Sequence, residues 1–159
     1  MNQNEEAIIR MLNSITDVSL ETFLDRLKLQ KLVYLIREVG YDCAFSFDWY
    51  VRGPYSPSLT RALYSADEIG ELSKGDVKLN GREFQIVHRL RLLLGDKIAD
   101  PYTLELLASI WYYFPDTPLT DNDREMLLDY LVEKKPHFSK EEFETGIEQI
   151  SNFKEINQY

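Results

Sequence analysis

Phe45-Ser46-Phe47-Asp48-Trp49-Tyr50-Val51-Arg52-Gly53-Pro54-Tyr55-Ser56-Pro57, residues 45–57, runs from a strand pattern through a turn into a helix start. Its apolar and polar residues alternate with the period of two that defines a strand. Phe45, Phe47, Trp49 and Val51 fall on one face; Ser46, Asp48, Tyr50 and Arg52 fall on the other. A turn at Gly53-Pro54 is then expected. Ser56 can cap a helix whose first position Pro57 fits, because no amide hydrogen is needed there.

Helical spacing surrounds this strand on both sides. Ile8, Met11, Leu12 and Ile15 repeat as one buried face. Ser19 is positioned to cap a stretch with Leu20, Phe23, Leu24 and Leu27. From Asp25 to Val39 a stripe of Leu29, Leu32, Val33 and Ile36 is widened by Leu35 and Val39, and Gly40 ends it. Lys28 lies inside the margin of that stripe, whereas Lys31, Tyr34, Arg37 and Glu38 lie opposite. Leu59, Leu63 and Ala66 mark another helix, and Phe84, Val87, Leu90 and Leu94 a further one. Val77 and Leu79 alternate before the Asn80-Gly81 turn, so a second strand over about 76–80 is expected to pair with 45–51. Asp100-Pro101, Thr120 and Ser139 with Glu142 open three more helices. The expectation is a mainly α, multi-helix single domain over 1–159 with a small antiparallel β element.

The chain of 159 residues is 44% hydrophobic and 28% charged, the balance of a folded domain. A net charge of −9 disfavours a general binder of nucleic acid or of an anionic membrane. A single cysteine, Cys43, leaves no internal disulfide and no multi-cysteine zinc site. The opening residues are polar and acidic, and the longest apolar run, Leu106 to Phe114, falls short of the roughly 20 residues a bilayer span takes. A cytoplasmic protein with no membrane partner is expected.

No phosphate loop, paired-histidine motif, nucleophile elbow or EF-hand loop is present. His88 and His137 stand in different segments. Asp42 beside Cys43 would raise the thiol's pKa rather than activate it. No catalytic residue, metal or cofactor is therefore assigned. The 52–57 loop offers more: Gly53 permits a backbone shape closed to other residues, the prolines stiffen it, and Arg52 with the following helix start suits an anion. The same loop also reads as a plain strand-to-helix connection with Arg52 paired to a neighbouring acid. Lys28 has two readings, snorkelling to water or pairing with Asp48. Lys74, Lys78, Arg82, Arg89, Arg91 and Lys97 form a thin basic run that reads as a solvated face or as a contact for nucleic acid.

Leu27-Lys28-Leu29-Gln30-Lys31-Leu32-Val33-Tyr34, followed by Trp49-Tyr50-Val51-Arg52-Gly53-Pro54-Tyr55-Ser56-Pro57-Ser58-Leu59, resembles the SocA-like Panacea antitoxin family and, more closely, the YwgA-like group of uncharacterised prokaryotic proteins. The resemblance covers roughly residues 24 to 66. It implies a helical cytoplasmic domain that binds another macromolecule, in the antitoxin branch a toxin encoded alongside. The matching positions are Lys28, Gln30, Lys31, Trp49, Gly53, Pro54 and Pro57. Together the two lines of reading assign the binding role to Lys28, Lys31, Asp48, Trp49, Tyr50, Arg52, Gly53, Pro54, Tyr55, Ser56 and Pro57. The expected function is a non-enzymatic protein-binding module, with a toxin as one such partner. The alternatives are a winged-helix-like nucleic-acid regulator, and a small enzyme or ligand sensor with a pocket around Lys28, Asp48, Arg52 and Tyr55.

Overall fold

Thr22 and Asp25 set the start of the central helix. The Thr22 side chain accepts from the Asp25 amide, and the Asp25 carboxylate accepts from the Thr22 amide. This capping box lies three residues beyond Ser19, so the two helical stretches expected over 20–39 are one helix with Leu20 outside it. In the computed structural model, which describes residues 1–157, the elements run α1 (Gln3–Ile15), α2 (Phe23–Glu38), β1 (Asp48–Tyr50), β2 (Gly53–Tyr55), α3 (Pro57–Glu68), α4 (Gly81–Leu94), a 3-10 turn (Gly95–Lys97), α5 (Pro101–Tyr113), α6 (Asp121–Lys134) and α7 (Lys140–Ile156). The fold is mainly α, with one small antiparallel two-stranded sheet among the described residues.

That sheet is not the one expected. Asp48 pairs with Tyr55, Trp49 with Pro54 and Tyr50 with Gly53. Residues 77–80 form no strand; Asn80 instead caps α4, accepting from the Glu83 amide. The turn falls at Val51-Arg52, and Gly53 leaves it with φ of 92°, a conformation that a β-carbon disfavours. The chain therefore folds back two residues earlier than the alternation suggests. Phe45 and Phe47, which precede the strand, are buried, but Val51, placed by the alternation on the same face, stands at the hairpin tip, 89% exposed. A two-stranded ribbon has two edges, which is why Pro54 is accommodated within it.

The chain packs as two compact units, Met1–Glu105 and Leu106–Tyr159. In the first, α2 is the axle. Leu29, Leu32, Val33, Leu35 and Ile36 are buried, and so are Lys31 and Tyr34 on the face opposite that stripe. The hairpin covers that second face, with Tyr34 edge-on to Phe47 at 5.3 Å. In the second unit, Phe143, Ile147, Ile150 and Phe153 of α7 are buried, and the Trp111 ring meets Phe153 edge-on at 5.9 Å. Gly146 lets α7 approach closely: a β-carbon there would lie 2.3 Å from the Ile110 Cδ1 atom.

Ser109 is fully buried, and its hydroxyl has no hydrogen-bond partner among the described residues. A dehydrated hydroxyl without a partner costs about 1–3 kcal/mol, and alanine is the better helix former. Ser109→Ala is expected to stabilise the protein by about 1 kcal/mol in urea titration; a lower unfolding midpoint would contradict this.

Candidate functional site

Two neighbouring side chains of α2 hold the backbone that follows the hairpin turn. Gln30, buried, donates from Nε2 to the Ser56 carbonyl at 2.9 Å and accepts at Oε1 from the Ser56 amide at 2.9 Å. One primary amide thus satisfies both polar groups of one buried peptide residue, as a neighbouring strand would. Lys31, 1% exposed, donates from Nζ to the Pro54 carbonyl at 2.5 Å. Ser56 caps α3 by accepting from the Leu59 amide at 3.2 Å, and Pro57 occupies the first turn. The Gln30-Lys31 pair and the Gly53-Pro54-Tyr55-Ser56-Pro57 segment are therefore two halves of one clamp.

The clamp orders an aromatic wall. Gln30 Nε2 also donates to Thr60 Oγ1 at 2.8 Å, and Thr60 Oγ1 lies 2.7 Å from the Tyr55 hydroxyl. Tyr55 in turn meets Tyr50 edge-on, with ring centroids 5.0 Å apart. In front of this wall lies an open cavity of about 480 Å³ bounded by α2, the hairpin, α3 and Leu20. Tyr50, Tyr55 and Tyr64 line it with rings, and Leu20, Phe23, Leu27 and Leu63 with hydrocarbon. Phe23, Tyr50, Val51 and Tyr64 are exposed at its rim.

Three cations, Arg26, Lys31 and Arg52, complete the lining, which contains no Asp or Glu. Arg26 donates from Nη1 to the carbonyls of Leu20 (2.8 Å) and Glu21 (3.2 Å), neutral acceptors that leave its charge in place. The Arg52 side chain is 50% exposed. It approaches the buried Glu105 carboxylate at 3.4 Å, and its guanidinium carbon lies 5.3 Å from the centre of the Phe23 ring.

Of the residues expected to bind, the cavity gathers Lys31, Tyr50, Arg52, Gly53 and Tyr55. Pro54 and Ser56 are buried and structural, and Pro57 sits at the helix start. Trp49 is half-buried, and neither it nor Asp48 lines the cavity. Lys28 also lies outside it: its part-buried side chain donates from the ammonium to Thr16 Oγ1 at 2.8 Å rather than pairing with Asp48. The pocket drawn around Lys28, Asp48, Arg52 and Tyr55 is thus only half assembled. Sequence reading missed Phe23, Arg26, Thr60 and Tyr64. Arg26 and Phe23 carried a signal in hindsight, since both lie one helical turn before Gln30 or Leu27 on α2.

The basic run has a structural use. Arg82 donates to the Gly40 carbonyl at 2.6 Å and Arg89 to the Val39 carbonyl at 2.8 Å, both at the C-terminal end of α2. Arg91 donates to the Ser14 carbonyl at 3.3 Å, in the last turn of α1. Carbonyls at a helix end lack partners within the helix, and the negative end of the dipole adds to their pull on a cation. This accounts for three of the six basic residues without nucleic acid. Burial raises the Cys43 thiol's pKa, and its sulfur faces the Phe45 carbonyl at 3.8 Å. No group of three or more His, Cys, Asp or Glu among the described residues is arranged to hold a metal ion.

No protein-family model, curated protein or solved structure matches the chain. No helix among the described residues is long and apolar enough to cross a membrane.

Proposed function

We propose that this chain is a protein-binding module whose partner docks on the hairpin tip and seats an anchor side chain in the cavity beside it. The observation that carries this reading is the arrangement around Val51: an aliphatic residue 89% exposed, a half-exposed Arg52 and exposed rings at Phe23, Tyr50 and Tyr64, all bordering one concavity. Clustered exposed aromatics with an arginine are the composition of interface hot spots, and lone exposed apolar residues are not. The hairpin backbone is held by Gln30 and Lys31, so little ordering cost is left to meet on binding.

The resemblance of residues 27–34 and 49–59 to Panacea antitoxins supports a cytoplasmic toxin, encoded alongside, as the partner. The acidic net charge favours a basic one through steering. The test is biolayer capture of the product of the adjacent gene by the immobilised chain. Wild type is expected to bind it and Val51→Asp to bind at least about tenfold more weakly, because the substitution puts a charge where an apolar contact forms. Equal binding by the two forms would overturn the docking site, and no binding by wild type would remove the antitoxin reading.

A further inference from the structure

The cavity combines two properties that select a ligand. Its volume of about 480 Å³ falls within the span usual for small-molecule sites, roughly 300–1,000 Å³. Its walls are aromatic and aliphatic, yet every charged side chain in them is a cation, in a chain whose net charge is −9. Cations gathered in a concave apolar lining raise the local potential and strengthen each charge–charge contact made there, and the Glu105 carboxylate, outside the lining but 3.4 Å from Arg52, offsets part of that charge. Arg52 and Arg26 both present guanidinium groups, which fit a carboxylate with two parallel hydrogen bonds.

We infer that the cavity is a binding site for a small amphipathic acid, an aromatic or aliphatic body carrying one carboxylate. The body packs against Leu27, Leu63, Tyr55 and Tyr64, and the carboxylate meets Arg52, with Arg26 adding charge. Because Arg52 lies over Phe23 and only 3.4 Å from Glu105, its guanidinium is already held at the mouth before the ligand arrives. Glu105 lies outside the lining, so a ligand carboxylate competes with it only for the exposed part of Arg52. This assignment rests on the reading of the cavity as the recognition site. The same acid–apolar pair could be offered by a side chain of a protein partner, so the two sources are tested separately.

The experiment titrates the isolated chain with 2-naphthoate by calorimetry, beside the neutral 2-naphthamide and a short peptide containing Trp-Asp. The acid is expected to bind at least about tenfold more tightly than the amide, and the difference to shrink with added salt. In Arg52→Met the acid is expected to weaken to the level of the amide while the amide itself is unchanged, and Arg52→Lys is expected to restore part of the preference. Loss of affinity for both compounds in Arg52→Met would report a collapsed cavity, and the thermal midpoint of the variant checks that directly. Equal binding of acid and amide by wild type, or no binding of the acid at millimolar concentration, overturns the inference. Tighter binding of the peptide than of the free acid overturns the small-molecule source and leaves the carboxylate preference. None of these arms contains the protein partner, so failure of partner capture and failure of acid binding are separate results.

Discussion

Gln30→Ala is expected to lower the stability of the chain by about 2 kcal/mol. The reason is what the amide leaves behind. Ser56 is fully buried, so without Gln30 its amide is left unpaired, while its carbonyl keeps the hydrogen bond from the Thr60 amide at 3.2 Å. A buried amide left unpaired costs about 1–3 kcal/mol, against a total stability of about 5–15 kcal/mol for a typical domain. Gln30→Glu is the sharper version. Its carboxylate can still accept from the Ser56 amide, but its second oxygen faces the Ser56 carbonyl, so both lone-pair groups repel. It is expected to fare no better than alanine at neutral pH. Guanidinium denaturation of the three proteins measures this, and a loss of under about 1 kcal/mol in both variants would show that water replaces the clamp.

Glu83→Gln is expected to cost about 2 kcal/mol at neutral pH. Glu83 is 2% exposed and receives two hydrogen bonds from Arg10, from Nε at 3.0 Å and from Nη2 at 2.7 Å. It also closes the Asn80 capping box of α4. Removing one partner of a buried pair costs about 3–5 kcal/mol when the other charge stays buried, but Arg10 is 35% exposed and can rehydrate, so the smaller figure applies. The hydrogen bonds from Arg10 lower the pKa of Glu83 from its ordinary value of 4.5, against the opposing effect of burial. A carboxyl whose folded pKa is lowered contributes stability that is complete above the unfolded pKa and is lost as pH falls through the folded one. The gap between wild type and Glu83→Gln is therefore expected to be full at pH 7 and to narrow below pH 4.5. A gap that stayed constant down to acid pH would assign the loss to packing instead.

The helices were legible because their signals are local. Ser56-Pro57, Thr120 and Ser139 with Glu142 each cap a helix as the spacing indicates. The hairpin was misplaced because alternation over 45–51 says nothing about where a strand ends. The positive φ of Gly53 belongs just after the turn rather than within it, and Pro54 sits on an edge where its missing amide does not matter. Helical periodicity places Lys31 opposite the apolar stripe and does not say what covers that side. The hairpin buries a second face of α2, and a lysine is accommodated there because its ammonium donates a hydrogen bond to the Pro54 carbonyl. The site itself was half legible. Tyr50, Arg52 and Tyr55 are contiguous with the motif, whereas Arg26, Thr60 and Tyr64 reach the cavity only through the packing of α2 and α3 against the hairpin. The co-occurrence of the two motifs has a direct physical basis in the Gln30–Ser56 and Lys31–Pro54 hydrogen bonds, which no reading of either motif alone reveals.

The central claim is that the hairpin tip is a rigid surface offered to another molecule, with Arg52 at its working edge. Affinity for the adjacent gene's product, measured for wild type and Arg52→Ala alongside their thermal midpoints, tests it most directly. Arg52 is half-exposed and meets Glu105 through one long contact of 3.4 Å, so it adds less to folding than the doubly bonded Arg10–Glu83 pair, whereas a desolvated interface arginine is worth about 2 kcal/mol or more. Arg52→Ala is expected to lose capture by at least about thirtyfold with a nearly unchanged midpoint. Unchanged capture together with a lowered midpoint would contradict it and return Arg52 to holding Glu105.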